Sequence, residues 1–500
     1  MVQSSKILLL AFCLFLLGCV NESEDKINSA PRIITETELE SNFSDDPLTI
    51  DHINVFDPDN DEISYDWSIS SEPYNSNAVL VNASLSQPVL YHIAPGSYSL
   101  RLDISDGITT VRNYIEVNIH PLPLLSNYQV KSLPDPSQVN AVSIGDFNSN
   151  GLNDLAVIVE QATAYSIDNE SALLIFKQNL AGDLSEPEVY SVSSVPSTHK
   201  VQSMSVADLN GDGRDDIAIS YEFGFRVFYQ KSDGLFEPVE HTASTEITNP
   251  INQIMLVDIN RDGLHDVISM FDNWSNSNIE VFRQSPVVGF DIPQQYSMTH
   301  SVFDRVSIGD IDNNGLDDIV YLNRANDIPL PKLGVLYQET PNDFSPILDL
   351  APNLNITTTR PISMFDISVG DINSDGLMDI IYSYGGNKPD ASLGVIYQMP
   401  DNSLSESVRY ISYDLPQEIL INDVNGDGKN DVIIKHSGWH RVGVMLQEAD
   451  GTLGVEHLYP SIYAGSNLPN TMVIGDINSD GKNDVIIGDG DLVVFYNASE

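Results

Sequence analysis

The chain has 500 residues, a formal net charge of −49 and a pI near 4.1, and 41% of its residues are hydrophobic. This length is too great for one small domain and predicts two or three. The acidity argues against nucleic acid as a partner, because binding phosphates requires a basic surface. We expect most of the acidic residues to form a solvated surface that aids solubility; a specific cationic partner is the alternative.

Residues 1–18 are predicted to be a lipoprotein signal peptide. Lys6 gives a positive start, and residues 7–17 form an apolar stretch too short to span a bilayer as a mature helix. The stretch ends in the letters LLGC at Cys19, which resembles a bacterial lipobox. That resemblance implies cleavage before Cys19 and lipidation of its thiol. Ordinary signal cleavage, with Cys19 incidental, is the alternative.

The segment after the cleavage site predicts a surface location. Residues 19–30 are mostly polar and acidic and read as a flexible tether. Val20, not Asp, follows Cys19, and resemblance to Gram-negative lipoproteins then favours the outer membrane. We therefore expect an exported outer-membrane or cell-surface lipoprotein of a bacterium, attached to the membrane through its N-terminal lipid. Cys13 is the only other cysteine and lies in the removed part, so the mature chain has no disulfide.

Residues 31–120 contain several short β-like runs and predict an immunoglobulin-like (Ig-like) β-sandwich. The segment resembles the PKD and cadherin-like domains of bacterial surface proteins, with a DPDND turn and the letters YDW around Trp67. We expect Trp67 in the core and Tyr98 as a tyrosine corner. Asp57, Asp59 and Asp61 alternate along the turn. They predict either a Ca²⁺ site or a solvated turn with side-chain caps, and the sequence leaves both open.

One nine-residue pattern, D-x-[DN]-x-[DN]-G-x-x-D, occurs seven times between Asp146 and Asp484. It places oxygen-bearing side chains at positions 1, 3, 5 and 9 and Gly at position 6. Ca²⁺ takes several oxygens at once, which a loop can supply from alternate residues around a sharp bend. Gly allows that bend because it tolerates positive φ. The pattern predicts up to seven Ca²⁺ sites; Mg²⁺ suits it less, since Mg²⁺ keeps its waters and demands strict octahedral geometry.

The predicted ligands are four side chains in each loop. They are Asp146, Asn148, Asn150 and Asp154; Asp208, Asn210, Asp212 and Asp216; Asp258, Asn260, Asp262 and Asp266; Asp310, Asp312, Asn314 and Asp318; Asp371, Asn373, Asp375 and Asp379; Asp423, Asn425, Asp427 and Asp431; and Asp476, Asn478, Asp480 and Asp484. Position 7 is Leu, Arg or Lys, so only its carbonyl could bind the ion. The first loop has two carboxylates against three elsewhere, which predicts weaker Ca²⁺ binding there.

The residues around the loops predict strands. An EF-hand requires flanking helices and a Glu at position 12, and position 12 is never Glu here. Segments such as TMVIG precede the loops and segments such as DVIIK follow them, and both are rich in β-branched residues. Successive copies start 50 to 62 residues apart, close to the length of a four-stranded propeller blade. A strand–turn–strand segment such as GVIYQMPDNSLSES follows several of them.

The seven loops and their flanking strands resemble the FG-GAP/VCBS-repeat proteins, which include the β-propeller heads of integrin α chains. The resemblance covers about three-quarters of the chain, and it implies Ca²⁺ in the loops and a seven-bladed β-propeller over residues 127–500. The whole chain is then all-β, with the Ig-like sandwich before the propeller. Only two strands follow the seventh loop, and residues 127–132 resemble the fourth strands of other blades. We therefore predict that 127–132 complete the seventh blade and leave no open sheet edge there.

No enzyme motif is present: the sequence has no H-E-x-x-H, no G-x-S-x-G and no Walker loop. His436 and His440 form one close pair, which predicts either a transition-metal site or a solvated loop. Two classes of function remain. The first is a surface-anchored binding or adhesion protein with a protein or glycan ligand. The second is a carbohydrate-active enzyme, a polysaccharide lyase or hydrolase, with carboxylates in the propeller pocket, since fold does not settle function.

Overall fold

The computed structural model describes part of residues 28–498. The residues left out within that range are 36, 44–46, 74–75, 77, 126, 134–137, 161–170, 193–200, 222–223, 243–250, 272–275, 286–288, 300–302, 324–331, 346–347, 351–362, 388–389, 438–439 and 462–469. The predicted signal peptide, Cys19 and most of the predicted tether lie outside the described residues. Among those described, no helix is long and apolar enough to cross a membrane.

The N-terminal unit, residues 28–120, consists of short strands in the part of it that is described. They are β1 (Arg32–Ile33), β2 (Glu38–Asn42), β3 (Leu48–Thr49), β4 (Val55–Phe56), β5 (Ser64–Ser71), β6 (Val79–Val81), β7 (Val89–Tyr91), β8 (Gly96–Ser105) and β9 (Thr110–His120). Strands β2-β9-β8-β5 form one sheet, β3-β7-β6 a second, and β1 pairs with β4. Only the β2–β9 pairing among these is parallel.

One apolar core takes residues from both larger sheets of this unit. Trp67 is buried there, and its indole Nε1 donates to the Leu85 carbonyl at 3.1 Å. Tyr98 is fully buried, and its hydroxyl donates to the carbonyl of Ala94, four residues upstream, at 2.9 Å. A hydrogen bond from a tyrosine to backbone a few residues upstream is the contact of a tyrosine corner. Trp67 and Tyr98 thus have the positions that the sequence predicted.

A short 3-10 turn, Pro123–Leu125, leads into the repeat region, whose strands continue the numbering. Strand β10 is Asn127–Lys131; the next are β11 (Gln138–Gly145), β12 (Asp154–Glu160), β13 (Ala172–Phe176), β14 (Glu188–Ser191), β15 (Met204–Ala207), β16 (Asp216–Tyr221), β17 (Gly224–Gln230), β18 (Phe236–Thr242), β19 (Ile251–Val257), β20 (Asp266–Phe271), β21 (Asn276–Phe282), β22 (Gln284–Ser285), β23 (Gly289–Phe290) and β24 (Gln294–Thr299). Then come β25 (Phe303–Gly309), β26 (Asp318–Asn323), β27 (Lys332–Leu336), β28 (Gln338–Thr340), β29 (Asp343–Phe344), β30 (Leu348–Leu350), β31 (Met364–Gly370), β32 (Asp379–Tyr384), β33 (Ser392–Ile396), β34 (Val408–Ile411), β35 (Pro416–Asn422), β36 (Asp431–His436), β37 (Arg441–Gln447), β38 (Leu453–Pro460), β39 (Met472–Gly475), β40 (Asp484–Asp489) and β41 (Asp491–Tyr496).

In the described residues these strands form seven four-stranded antiparallel sheets, called sheets I to VII here. Sheet I is β11-β12-β13-β14, sheet II β15-β16-β17-β18, sheet III β19-β20-β21-β24, sheet IV β25-β26-β27-β30, sheet V β31-β32-β33-β34, sheet VI β35-β36-β37-β38 and sheet VII β39-β40-β41-β10. The pairs β22–β23 and β28–β29 lie in the turns between the third and fourth strands of sheets III and IV. Each sheet is thus one repeat of the sequence, with its nine-residue loop between the first two strands.

The fourth strand of sheet VII comes from the beginning of the repeat region. Strand β10 pairs with β41, with Tyr128 opposite Phe495 and Val130 opposite Val493. The predicted pairing of residues 127–132 with the last repeat is confirmed. Because β10 is separated from β41 by the other six sheets in sequence, this pairing ties the two ends of the repeat region together.

Apolar packing joins each sheet to the next. Seven clusters of buried side chains are each shared by two neighbouring sheets of the described region: I and II, II and III, III and IV, IV and V, V and VI, VI and VII, and VII and I. The first strand of each sheet contacts the first strand of the next sheet, and β39 of the last sheet contacts β11 of the first. In order, these strands are β11, β15, β19, β25, β31, β35 and β39. Second and third strands are therefore buried on both faces and read as continuous apolar runs, such as β12 and β13.

Candidate metal centres

Each nine-residue loop leaves the first strand of its sheet and ends on the first residue of the second strand. The loops are numbered I to VII after their sheets. The position-9 carboxylates are Asp154, Asp216, Asp266, Asp318, Asp379, Asp431 and Asp484, and all are fully buried. The position-6 glycines have φ between 80° and 87°, a left-handed conformation that other residues adopt only with strain. The sequence prediction that this position requires Gly is therefore confirmed.

Loop VI shows how the backbone wraps around its own side chains. Asp423 accepts from the backbone N–H of Asp427 at 3.1 Å and from that of Gly428 at 2.8 Å. Asn425 Oδ1 accepts from the N–H of Asp427 at 2.9 Å, and Asp427 Oδ1 accepts from the N–H of Lys429 at 2.9 Å. The same three kinds of bond recur in the other loops, except that Asn148 makes a different bond in loop I. The side chains at positions 1, 3 and 5 are thereby turned towards the centre of the loop.

The position-9 carboxylate connects the loop to two other segments. In loop VI, Asp431 Oδ2 accepts from the N–H of Val424 at position 2, at 3.2 Å, and Oδ1 accepts from the N–H of Gln447 at 3.0 Å. Burial raises the pKa of Asp431 to about 6, although these two backbone hydrogen bonds lower it. Burial also raises the pKa of Asp318 and Asp379 to about 7. A buried carboxylate with this environment is costly to ionise unless a cation lies beside it.

Two observations show that the loop residues suit a cation. In loop IV, carboxylate oxygens of Asp310, Asp312 and Asp318 lie within 4.8 Å of one another. In loop III, Asp266 Oδ2 is buried and has no hydrogen-bond partner among the described residues. Converging carboxylates and an unpartnered buried oxygen are the donor set that a hard, oxygen-binding ion requires. The residues present therefore fit Ca²⁺.

The loops differ from one another at positions 3 and 7. In loop I the amide nitrogen of Asn148 donates to Asp154 Oδ2 at 2.9 Å. The amide of Asn148 therefore lies against one of the two predicted carboxylate ligands of this loop. In loops II and VI a basic residue at position 7 pairs with the position-5 carboxylate, Arg214 with Asp212 and Lys429 with Asp427. Both arrangements place a donor group where a cation would compete for the same oxygen.

A second element of the site was not predicted from the sequence. A Gln or Asn lies at or just after the end of the third strand of every described sheet, two residues after the last buried apolar residue of that strand. Its backbone N–H donates to the position-9 Asp at 2.7 to 3.0 Å. These residues are Gln178, Gln230, Gln284, Gln338, Gln398, Gln447 and Asn497. The repeated letters FKQ, FYQ, FRQ, LYQ, IYQ, MLQ and FYN are the signal that could have found them.

Position 2 of each loop was also overlooked. It is Phe147, Leu209, Ile259, Ile311, Ile372, Val424 or Ile477, and all seven are buried. Each belongs to an apolar cluster between neighbouring sheets. The loops are therefore anchored in the packing between sheets as well as in their own hydrogen bonds.

The acidic turn of the N-terminal unit forms a separate cluster. Ligand oxygens of Asp57, Asp59 and Asp61 lie within 4.8 Å of one another. Asp57 Oδ1 accepts from the N–H of Asp59 at 2.8 Å, whereas its Oδ2 is buried and has no partner within the described ranges. Asp59 also accepts from the N–H of Ser29 at 2.6 Å. The unpartnered oxygen fits the cation alternative, while the bonds from the turn's own N–H groups fit the capped turn.

His436, one member of the histidine pair, has a different role from both alternatives that the sequence offered. His436 is fully buried, and its Nε2 lies 2.6 Å from Glu456 Oε1 while its Nδ1 lies 3.1 Å from the Asp414 carbonyl. Both ring nitrogens thus have partners within the protein. The solvated-loop interpretation is wrong for His436, and no ring nitrogen of it faces a metal shared with His440. Gly443 makes room for the pair, because a Cβ there would lie 1.9 Å from Glu456 Oε1.

Charged side chains also lie on the first strands, near the ends remote from the loops. Asp366 of β31 pairs with Arg305 of β25 at 3.1 Å and accepts from the N–H of Ile419 at 2.7 Å. Glu418 of β35 accepts from the N–H of Met472 at 3.1 Å. Burial raises the pKa of Asp366 to about 7, against the opposing effect of Arg305. These carboxylates therefore hold neighbouring first strands together.

A cavity of about 590 Å³ lies between the N-terminal unit and sheets V and VI. Phe43, Tyr91 and His92 line one side of it, and residues of β34 and β38, with the turn before β38, line the other. Arg409 and Glu448 supply charged groups. Its mixture of rings and polar groups at a junction between units is typical of a ligand site.

Comparison with known protein families gives one match. The FG-GAP-like repeat matches residues 146–219, 208–269 and 423–487, which together contain loops I, II, III, VI and VII. No curated protein sequence matches the chain.

Solved structures share the all-β architecture at low similarity. An Agrocybe aegerita lectin, described as recognising non-reducing terminal N-acetylglucosamine, is 12% identical, with 85% of this chain and 99% of that chain covered and a TM-score of 0.45. The WD40 domain of Toxoplasma gondii coronin is 11% identical, with 75% and 86% covered and a TM-score of 0.46. A Fusarium graminearum α-L-arabinofuranosidase is 10% identical, with 59% and 92% covered and a TM-score of 0.41.

These TM-scores are too low to inform the activity or ligand of this chain, and the three proteins themselves include a binder and an enzyme. The fold conclusion therefore depends on the chain's own sheets and on the repeat match. Successive four-stranded antiparallel sheets, packed face to face in sequence order and carrying FG-GAP-like repeats, form a β-propeller.

Proposed function

We propose that the chain is a calcium-stabilised, lipid-anchored cell-surface binding protein. Its seven sheets are the blades of one closed propeller, and residues 31–120 are an Ig-like sandwich that separates the propeller from the membrane. The observation that carries this proposal is the loop geometry: the seven carboxylates at position 9 are buried, and in loop IV the carboxylates of Asp310 and Asp312 converge on that of Asp318. Seven shared apolar clusters and the β10–β41 pairing support closure of the ring.

The side chains at positions 1, 3, 5 and 9, with the position-7 carbonyl, would hold Ca²⁺ in each loop. When bound, Ca²⁺ supplies positive charge to carboxylates that burial makes costly to ionise. The chain's own residues turn the loop, bury the position-9 group and tie it to the third strand. Asp57, Asp59 and Asp61 would hold a further ion in the N-terminal unit, and the unpartnered Asp57 Oδ2 supports this choice over a capped turn.

The surface location rests on the predicted signal peptide of residues 1–18, on Cys19 as the lipidated residue and on the tether of residues 19–30. Outer-membrane attachment through this lipid would place the propeller outside the inner membrane. Metabolic labelling with a radioactive or clickable fatty acid tests it: the wild-type chain should be labelled and a Cys19→Ala variant should not. Equal labelling of the two would refute the anchor.

Binding is favoured over catalysis by what the buried carboxylates do. The loop carboxylates are enclosed by backbone N–H groups, and Asp366 and Glu418 each bond backbone of the next first strand. These bonds are structural, and the unpartnered Asp266 Oδ2 is buried. The ligand is proposed to be a protein or glycan bound in a groove between blades or on the face opposite the cation loops. The cavity beside Tyr91 and Arg409, which the N-terminal unit lines together with sheets V and VI, is our candidate for that site.

The experiment is a glycan and cell-surface-extract binding screen on the purified mature protein, in 2 mM Ca²⁺ and in EDTA. Retention of a ligand in Ca²⁺, without turnover and with loss in EDTA, is the expected result. Release of shortened or unsaturated saccharides from polysaccharide would instead establish the alternative, a lyase or hydrolase. A Tyr91→Ala, Arg409→Ala double variant distinguishes the cavity from other grooves, because only ligand bound in the cavity would be lost.

A further inference from the structure

In six of the seven described sheets, the Gln or Asn at the end of the third strand contacts two different loops. Its backbone N–H binds the position-9 Asp of its own sheet, as in the bond from Gln230 to Asp216 Oδ1 at 2.8 Å. Its side chain reaches the loop of the preceding sheet: Gln230 Nε2 donates to the Asp146 carbonyl at 3.1 Å, and Ser149 Oγ donates to Gln230 Oε1 at 3.3 Å. One residue therefore joins loop I to loop II.

The same connection occurs at five other boundaries between sheets. Gln284 donates to the Leu209 carbonyl, Gln338 to the Ile259 carbonyl at 2.9 Å and Asn497 to the Val424 carbonyl, while Gln178 accepts from Ser479 at 2.6 Å and Gln447 accepts from Ser374 at 2.9 Å. The link from Ser479 to Gln178 joins loop VII to sheet I. These bonds involve positions 1, 2 and 4 of the preceding loop. They therefore depend on the conformation of that loop.

Position 8 of the loop adds a second link at several of these boundaries. Asn153 donates to the Asp476 carbonyl at 3.0 Å, Asn430 to the Asp371 carbonyl at 2.9 Å and Asn483 to the Asp423 carbonyl at 2.9 Å. His265 Nδ1 lies 3.2 Å from the Asp208 carbonyl. Each acceptor is position 1 of the preceding loop, the residue whose carboxylate turns the backbone around the candidate ion site.

The boundary between sheets IV and V lacks both links. Gln398 Oε1 accepts from the N–H of Met378 in its own loop at 2.9 Å, and its Nε2 has no partner in the part of the chain that the structure describes. Met378, at position 8, has no side-chain group that donates a hydrogen bond. In the described residues, neither side chain hydrogen-bonds to loop IV. These two sheets are joined instead at the other end of their first strands, by the Arg305–Asp366 ion pair.

We propose that the seven loops bind Ca²⁺ as a coupled open series, which starts at loop V, runs through VI, VII, I, II and III, and ends at loop IV. The proposal rests on Ca²⁺ binding by the loops and adds that filling one loop strengthens the next. An ion in one loop fixes the carbonyl or hydroxyl that the next sheet's Gln or Asn binds. The backbone N–H of that Gln or Asn in turn binds the buried position-9 Asp in the loop of its own sheet. The coupling between neighbouring loops is therefore reciprocal.

The test is a Ca²⁺ titration of the full chain followed by hydrogen–deuterium exchange of the loop peptides. In Gln230→Leu the backbone bond to Asp216 remains and the two bonds to loop I are lost. The Ca²⁺ concentration that half-protects residues 146–154 should therefore rise roughly five-fold, the effect of about one net hydrogen bond. Gln230→Asn should recover part of the shift, because Asn497 has this place in sheet VII. If Gln230→Leu fails to fold, Ser149→Ala removes one bond of the same link.

Gln398→Leu is the matched control, since Gln398 has the same place in sheet V but does not reach loop IV. It should leave the protection of residues 310–318 unchanged. An unshifted midpoint for residues 146–154 in Gln230→Leu, or equal shifts of the preceding loop in both variants, would overturn the coupling while leaving Ca²⁺ binding intact. A wild-type chain without any Ca²⁺-dependent protection would overturn the ion sites and the coupling together.

Discussion

Raising the pH of the calcium-free protein from 5 to 8 should destabilise it. The cause is the buried carboxyl group at position 9 of each loop: burial raises its pKa to about 6 in loops I, II, III, VI and VII and to about 7 in loops IV and V. These values lie above the 3.8 of an unburied Asp. Between the unfolded and the folded pKa, the folded chain holds protons that the unfolded chain has released. The stability that these protonated carboxyl groups contribute is fully present below about pH 4 and is lost as the pH rises through 6 to 7.

The magnitude follows from the size of the shift. A change from 3.8 to about 6 is roughly two pKa units, and the interval from pH 5 to pH 8 covers about one of them, or about 1.4 kcal/mol for one site taken alone. A site with a pKa of about 7 loses about 3 kcal/mol over the same interval. Seven sites do not simply add, because a loop that opens to water escapes part of the cost. A total of several kcal/mol is still a large fraction of the stability of a folded domain.

Urea unfolding in EDTA at pH 5 and pH 8 measures this effect, and unfolding in Ca²⁺ supplies the comparison. We expect the calcium-free chain to be more stable at pH 5 and the calcium-loaded chain to be more stable at pH 8, since Ca²⁺ binds the ionised carboxylates. Repeating the series in 1 M NaCl, where the screening length is about 3 Å, removes repulsion among surface carboxylates but not the burial term. A calcium-free chain that is equally stable at both pH values in high salt would refute the reasoning.

Three further predictions concern single sites. During chelator titration residues 146–154 should lose protection first, because loop I has two carboxylates against three elsewhere; release from this loop last would show that ligand charge does not rank the sites. Gly443→Ala should lower the free energy of unfolding by roughly 2–4 kcal/mol, since its Cβ would overlap Glu456, and a change below 0.5 kcal/mol in urea melts would contradict this. Tyr98→Phe should cost the N-terminal unit about 1–2 kcal/mol through the lost bond to Ala94, and calorimetry showing an unchanged transition would contradict it.

The sequence predicted the parts of the fold that one repeat specifies by itself. The loop pattern fixes oxygen positions and the glycine bend within nine residues, and alternating turns and β-branched runs mark the strands around it. The pairing of β10 with β41 could also be predicted, because the last repeat has only two strands after its loop, while residues 127–132 precede the first repeat and resemble the fourth strands of other repeats.

The contacts that the sequence did not predict are those between repeats. Gln230 lies 14 residues after Asp216, whereas Gln178 lies 24 residues after Asp154. The spacing between the position-9 Asp and this Gln therefore varies among repeats, and an alignment with a fixed spacing does not reveal it. The burial of His436 beside Glu456 depends on a glycine in the intervening strand, and neither spacing nor composition shows which strands will be neighbours. Which side chains contact each other across strands depends on how the strands pair in the assembled sheet.

The account depends most directly on divalent ions in the acidic loops. Calorimetry of the purified mature chain in EDTA and in millimolar Ca²⁺, with the bound metal counted by elemental analysis after gel filtration, tests it in one preparation. We expect several and up to seven loop-bound Ca²⁺ ions per chain and a higher melting temperature in Ca²⁺. An identical melting temperature in both buffers, with no calcium retained by the protein, would contradict the central claim.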